Sequence, residues 1–140
     1  YVMPKAETAA KCMSLALTNA GLNREDIQHI NTHGTSTKAG DLNEIKGIQS
    51  IWKEDFDKVL LSANKSQLGH SMGASSAIEL IFSILSVKNN VVYPTLNYIP
   101  DPAFELSNLL DETREIRLDY VLNNSFGFGG TNACVIVGKV

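Results

Sequence analysis

The spacing of apolar side chains switches along this chain between a helical period and short β-type runs, and few folds accommodate that alternation. Ala6, Ala9, Ala10, Met13, Ala16, Leu17 and Ala20 recur at three- and four-residue steps, which predicts an amphipathic helix over residues 5–20 ending at Gly21. Residues 23–26 read as a short capped turn and residues 27–31 as a strand. Asp41 followed by Glu44 has the form of a capping box, opening a helix that turns Leu42, Ile45, Ile48 and Ile51 inward. Residues 59–63 suit a short buried strand and residues 71–88 another helix, whereas the three prolines within 93–102 make an irregular connection. Two last β-type runs, 116–122 and 133–137, flank a glycine-rich turn as an antiparallel pair. This order predicts a layered α/β/α arrangement on a mixed sheet, in one domain spanning residues 1–140.

Composition removes several alternatives. With 12 Lys plus Arg against 15 Asp plus Glu, the net charge is −3 and the isoelectric point about 5.5, which argues against nonspecific binding to nucleic acid. The longest apolar run, 78–87, is interrupted by Glu79, Ser83 and Ser86 and falls short of the roughly 18 residues a membrane helix needs. Cys12 and Cys134 lie far apart without a CxxC spacing, which suits a reducing compartment such as the cytoplasm. The chain does not begin with Met and carries no signal-peptide pattern, so it reads as part of a longer protein.

Seven of the ten glycines fall in three short stretches, each following a predicted strand, and His33 and His70 fall there too. In open α/β sheets, sites gather at the carboxyl ends of strands. The first stretch, residues 31–41, sets His33 beside the hydroxyls of Thr35, Ser36 and Thr37; it is either a ligand loop or a hydroxyl-rich helix entry with a surface histidine. His29 lies four residues before His33, but no third ligand has metal-binding spacing, so His29 reads as a structural strand residue. In the second stretch, His70 precedes the small residues 73–77, where a narrow substrate arm could approach. Glu79 meets Lys65 only if that loop folds back; otherwise both are solvated. The third stretch, 123–132, places about ten residues between strands and matches neither a phosphate loop nor a dinucleotide fingerprint; a glycine-rich hairpin with a buried Phe is the plain alternative.

Taken in order, His33-Gly-Thr-Ser-Thr with Gly40-Asp41, Lys65-Ser with Gly69-His70 and Glu79, and Asn124-Ser-Phe-Gly-Phe-Gly-Gly-Thr-Asn132 resemble the β-ketoacyl-[acyl-carrier-protein] synthases. The resemblance covers nearly the whole chain. It implies one half of a thiolase-like fold, with a five-stranded-type mixed sheet, from the carboxyl-terminal part of a protein of about four hundred residues. Ser36, where polyketide relatives usually have Gly, and Phe128 point to the type I/II fatty acid enzymes. The stretch 104–117 departs from the pattern: Leu106-Ser-Asn-Leu-Leu-Asp111 replaces the Asp-Phe-Val-Pro of many type II members.

The resemblance also implies roles. His33 and His70 are the histidines of a Cys–His–His triad whose Cys belongs to the amino-terminal half, and neither Cys12 nor Cys134 replaces it. Lys65 supports the histidines and Glu79 pairs with it, with Asp41 and Glu44 as further supporting carboxylates. Thr35 and Thr37 hold the pantetheine arm of the acyl carrier protein, and Phe128 with Gly127, Gly129 and Gly130 forms a gating and oxyanion-binding turn. The activity implied is decarboxylative condensation of malonyl-[acyl-carrier-protein] with an acyl-enzyme thioester in fatty acid synthesis. It needs no metal and no cofactor beyond the carrier's 4'-phosphopantetheine. A cytoplasmic homodimer is expected, with acyl carrier protein as partner and neither nucleic acid nor membrane. Two alternatives stand beside it: a non-catalytic partner subunit like the chain-length factors, and a ketosynthase of a specialised polyketide or polyene pathway.

Overall fold

The computed structural model describes residues 5–102 and 105–140; the opening residues 1–4 and position 104, where the departing stretch begins, lie outside it. In chain order the elements are α1 (Ala6–Ala20), β1 (His29–Asn31), α2 (Lys38–Trp52), β2 (Leu60–Ser62), α3 (Lys65–Leu68), α4 (Ser75–Asn89), β3 (Val91–Val92), β4 (Arg114–Glu115), β5 (Tyr120–Phe126) and β6 (Asn132–Gly138). The main sheet among the described residues has four strands, in the order β2-β1-β5-β6, where a five-stranded type was expected. β3 and β4 form a separate antiparallel pair instead of extending it. β1 runs parallel to β2 and β5, and β5 is antiparallel to β6.

Strand alternation divides the core. Ile30, Leu61 and Leu122 face α1 and α2, where Met13, Ile48 and Trp52 complete a buried cluster. Leu60 and Val121 face the opposite side and pack with Val87 of α4. The result is the layered α/β/α order expected from the alternating periods. α1 and α2 approach closely because α2 carries Gly47, where a Cβ would lie 3.0 Å from the Ala6 carbonyl and 3.3 Å from the Ala9 Cβ.

Three local expectations need correcting. α2 begins at Lys38, not at Asp41, because neither member of the supposed capping box serves its own helix. The Asp41 carboxylate accepts the backbone N–H groups of Ser36 and Thr35, and that of Glu44 accepts those of His33 and Gly34. The helix expected over 71–88 starts later, as α4 at Ser75 after a tight turn at Met72–Ala74, and the short α3 precedes it within the second loop. The third loop is shorter than ten residues because β5 continues to Phe126 and β6 starts at Asn132.

α4 is inside-out. Its buried face is Ser75, Glu79, Ser83 and Ser86 with Val87 alone apolar, while Ile81 and Ile84 are 55% and 46% exposed. The polar stripe covers the row Asn31, Ser62 and Asn123 on the sheet: the Asn31 amide donates to the Glu79 carbonyl and the Ser83 hydroxyl, and Ser83 bonds Asn123. These bonds pair the Asn31 amide and the Ser83 hydroxyl, while the buried Asn31 Oδ1 and Glu79 Oε2 have no hydrogen-bond partner among the described residues.

Candidate active site

The carboxyl ends of β1, β2 and β5 lie on one edge because the three strands are parallel, and each sends out one of the glycine-bearing loops. Their walls enclose a cleft of about 520 Å³ lined by His33, Thr35, Thr37, His70, Phe126 and Phe128, among others. A second cavity of about 690 Å³ continues on the other side of Thr35 and His70 and reaches Lys65, Thr95 and Tyr98.

The imidazoles of His33 and His70 face each other edge to face, with ring centroids 5.9 Å apart. The His33 ring also packs 5.6 Å from that of Phe126. His33 is held from behind by its own backbone, through Glu44. That buried carboxylate takes the His33 and Gly34 N–H groups at 2.9 and 3.0 Å and the Asn124 amide of β5 at 3.0 Å. Burial raises the pKa of Glu44 and these donors oppose the rise.

Loop two folds back as the pairing required. Lys65 donates to Glu79 at 2.5 Å, to the His33 carbonyl at 2.6 Å and to His33 Nδ1 at 3.2 Å. Both side chains are nearly inaccessible, at 5% and 2% exposure. Burial raises the pKa of Glu79, and Lys65 works against that rise.

This geometry fixes the tautomers. An ammonium has only donors, so His33 Nδ1 accepts and the ring proton resides on Nε2. His70 Nδ1 accepts the backbone N–H of Met72 at 3.1 Å, which puts its proton on Nε2 as well. His33 is held neutral: burial first, then Lys65 and His70, push its pKa down to about 4. His29 is the buried strand residue expected, hydrogen-bonded to Ser62 at 2.9 Å and pushed by burial to about 3.

Gly127, Gly129 and Gly130 surround Phe128, which is 68% exposed at the cleft mouth. Thr35 and Thr37 hydroxyls lie 3.1 Å apart on the cleft wall. Among the described residues no group of three or more His, Cys, Asp or Glu side chains is placed to hold a metal ion. Cys134 lies against Cys12, and burial raises its pKa far above the ordinary thiol value, a poor setting for a nucleophile. Nothing in the residue pattern signals that these two cysteines meet, nor that Ser75 contacts His70 at 3.0 Å. Asn124 stood inside the third motif, but its service to Glu44 depends on strand register.

Residues 1–99 match the family described as "Beta-ketoacyl synthase, C-terminal domain". The chain belongs to the β-ketoacyl synthase family. A curated relative, 3-oxoacyl-[acyl-carrier-protein] synthase 2 of Staphylococcus aureus (strain COL), is 40% identical over 137 residues, covering 97% of this chain and 33% of the relative. Among solved ketosynthase structures, that of the ishigamide ketosynthase/chain length factor is 36% identical with a TM-score of 0.92, covering 99% of this chain and 34% of its own. A type II polyketide ketosynthase, AntDE, bound to its acyl-carrier protein AntF is 29% identical, also with a TM-score of 0.92, over 100% of this chain and 36% of that one. This ketosynthase chain thus spans about a third of the length of the relatives it matches, and its fold is thiolase-like.

Proposed function

We propose that this chain is the carboxyl-terminal part of a 3-oxoacyl-[acyl-carrier-protein] synthase and supplies the decarboxylation half of its site. The observation that carries this reading is the pair of imidazoles on one cleft, each with Nδ1 occupied as an acceptor and Nε2–H left to donate. When a malonyl thioester loses CO₂, negative charge collects on its thioester oxygen. The two Nε2–H groups stabilise that enolate as an oxyanion hole would, each donor lowering the barrier by about 2.7–4 kcal/mol. The enolate carbon then attacks an acyl thioester on a cysteine supplied by the rest of the protein, and collapse of the tetrahedral intermediate breaks the C–S bond and expels the cysteine as its thiolate. The Phe128 N–H receives the oxyanion formed in that second step. Thr35 and Thr37 hold the pantetheine arm, and Lys65 holds His33 while Glu79 holds Lys65.

The inside-out helix supports the partial-protein reading, since a helix with Ile81 and Ile84 outward is built to be covered. Acyl carrier protein is the proposed partner, in line with the carrier bound to the AntDE ketosynthase. Within the same reading the intact enzyme is a cytoplasmic homodimer of fatty acid synthesis with no resident cofactor. Likeness to the ishigamide ketosynthase/chain length factor favours a second reading, a non-catalytic subunit or a specialised-pathway ketosynthase. Retention of His33, His70 and Lys65 together favours the enzyme.

The deciding test is malonyl-carrier-protein decarboxylation by the intact protein. His33→Ala and His70→Ala should each abolish it while the variants remain folded, and a His70→Ala enzyme working at the parent rate overturns the assignment. The 140-residue chain alone, incubated with radiolabelled acyl-carrier protein, should form no stable acyl adduct.

A further inference from the structure

His70 is the less confined of the two imidazoles: it is exposed at the cleft, and the loop that carries it is not helical until Met72. Two donors hold its Nδ1. The Met72 N–H reaches it at 3.1 Å from a residue in the left-handed region, φ 51°, which a non-glycine residue adopts at a cost. The Ser75 hydroxyl reaches the same nitrogen at 3.0 Å. Because Nδ1 already accepts an N–H, it carries no proton, and the Ser75 O–H must be the donor.

We propose that Ser75 is a positioning residue for His70, selecting its Nε2–H tautomer and its ring orientation for the condensation chemistry. This rests on the function proposed above. Four observations support it. Ser75 is 5% exposed, so its hydroxyl has little water to bond instead. It is the first residue of α4, a rigid base for a group that must hold one direction. A flip of the His70 ring, or transfer of its proton to Nδ1, would leave both the Ser75 and the Met72 donors unpaired, whereas with alanine at 75 only one donor resists the change. Ser76, next in the chain, is exposed on the cleft wall, so the neighbouring hydroxyls are divided between aiming His70 and facing the ligand. The run of small residues at 73–77 therefore does more than make room.

The experiment uses the intact enzyme with ¹⁵N-labelled histidine and the variants Ser75→Ala, Ser75→Thr and Ser75→Val. Thr and Val have the same shape and differ by the hydroxyl. Long-range ¹H–¹⁵N spectra report the His70 tautomer directly. The parent and Ser75→Thr should show Nε2–H alone with a hydrogen-bonded Nδ1, and Ser75→Ala and Ser75→Val a mixture. Decarboxylation kcat should fall about tenfold in Ala and Val, with KM within about twofold, and recover in Thr. A Ser75→Ala enzyme with the parent's His70 spectrum and kcat overturns the proposal, as does a Val variant indistinguishable from Thr. If the spectra change as expected in a protein that does not decarboxylate malonyl-carrier protein at all, the positioning stands and the functional reading falls.

Discussion

Lys65 and Glu79 show how much a single pair can hold. Their side chains are 5% and 2% exposed, and Lys65 also bridges to two atoms of His33. Lys65→Met should cost about 3–5 kcal/mol in denaturant unfolding, because it strands a buried carboxylate. The double variant Lys65→Met/Glu79→Leu should regain most of that stability and none of the activity. If the single variant is as stable as the double, the pair is not what holds the loop. Gly34 makes a second residue-scale case: its φ is 43° and a Cβ there would lie 2.6 Å from the Ala63 Cβ. Gly34→Ala should destabilise by about 2–4 kcal/mol, combining overpacking with backbone strain. The motif displayed the glycine, but its neighbour Ala63, just past the end of β2, is a property of the fold alone.

Among the elements, α2 meets α1 in close contact at Gly47. Gly47→Val should force the helices apart and lower stability by about 1–3 kcal/mol, measured by urea unfolding; an unchanged midpoint would show that the contact can yield freely. Helices and strands were legible as elements because their periods differ. Their ends were less so, for reasons of side-chain use. Asp41 and Glu44 have capping-box spacing, yet both carboxylates serve the preceding loop, which only tertiary contact reveals. α4 was visible as a helix, but its inward face was hidden because the buried face is mostly polar, against a row of asparagine and serine brought together by parallel pairing. The third loop looked longer than it is because Asn123, Asn124 and Ser125 resemble loop residues and are strand residues. The site residues themselves were largely legible, since His33, His70 and Thr35 sit in motifs that the fold brings to one cleft, with Lys65 reaching His33 from the adjoining cavity. Ser75 was not, being one small residue among several.

For the molecule as a whole, pH enters through buried histidines. His29 ionises near 3 in the native state against about 6.5 when unfolded, so between those values the unfolded chain binds more protons and folding loses ground as pH falls. Above about 6.5 the residue is neutral in both states and exerts no such pull. Asp41, Glu44 and Glu79 are raised by burial and act in the opposite sense, so the histidine contribution is isolated by difference. Relative to His29→Gln, the parent should lose up to about 1.4 kcal/mol per pH unit between pH 6.5 and 3. Equal slopes for the two proteins would mean that His29 is not protected as its burial implies.

Asn31, Ser62 and Asn123 stand level across three parallel strands, and the cleft residues are mounted beyond them on loops tied together where Lys65 meets His33. Exchanging Phe128 within the turn would therefore alter the mouth while leaving the Lys65–His33 link and the Phe126–His33 packing in place. Kin of this chain could thus reshape the cleft by altering one wall at a time.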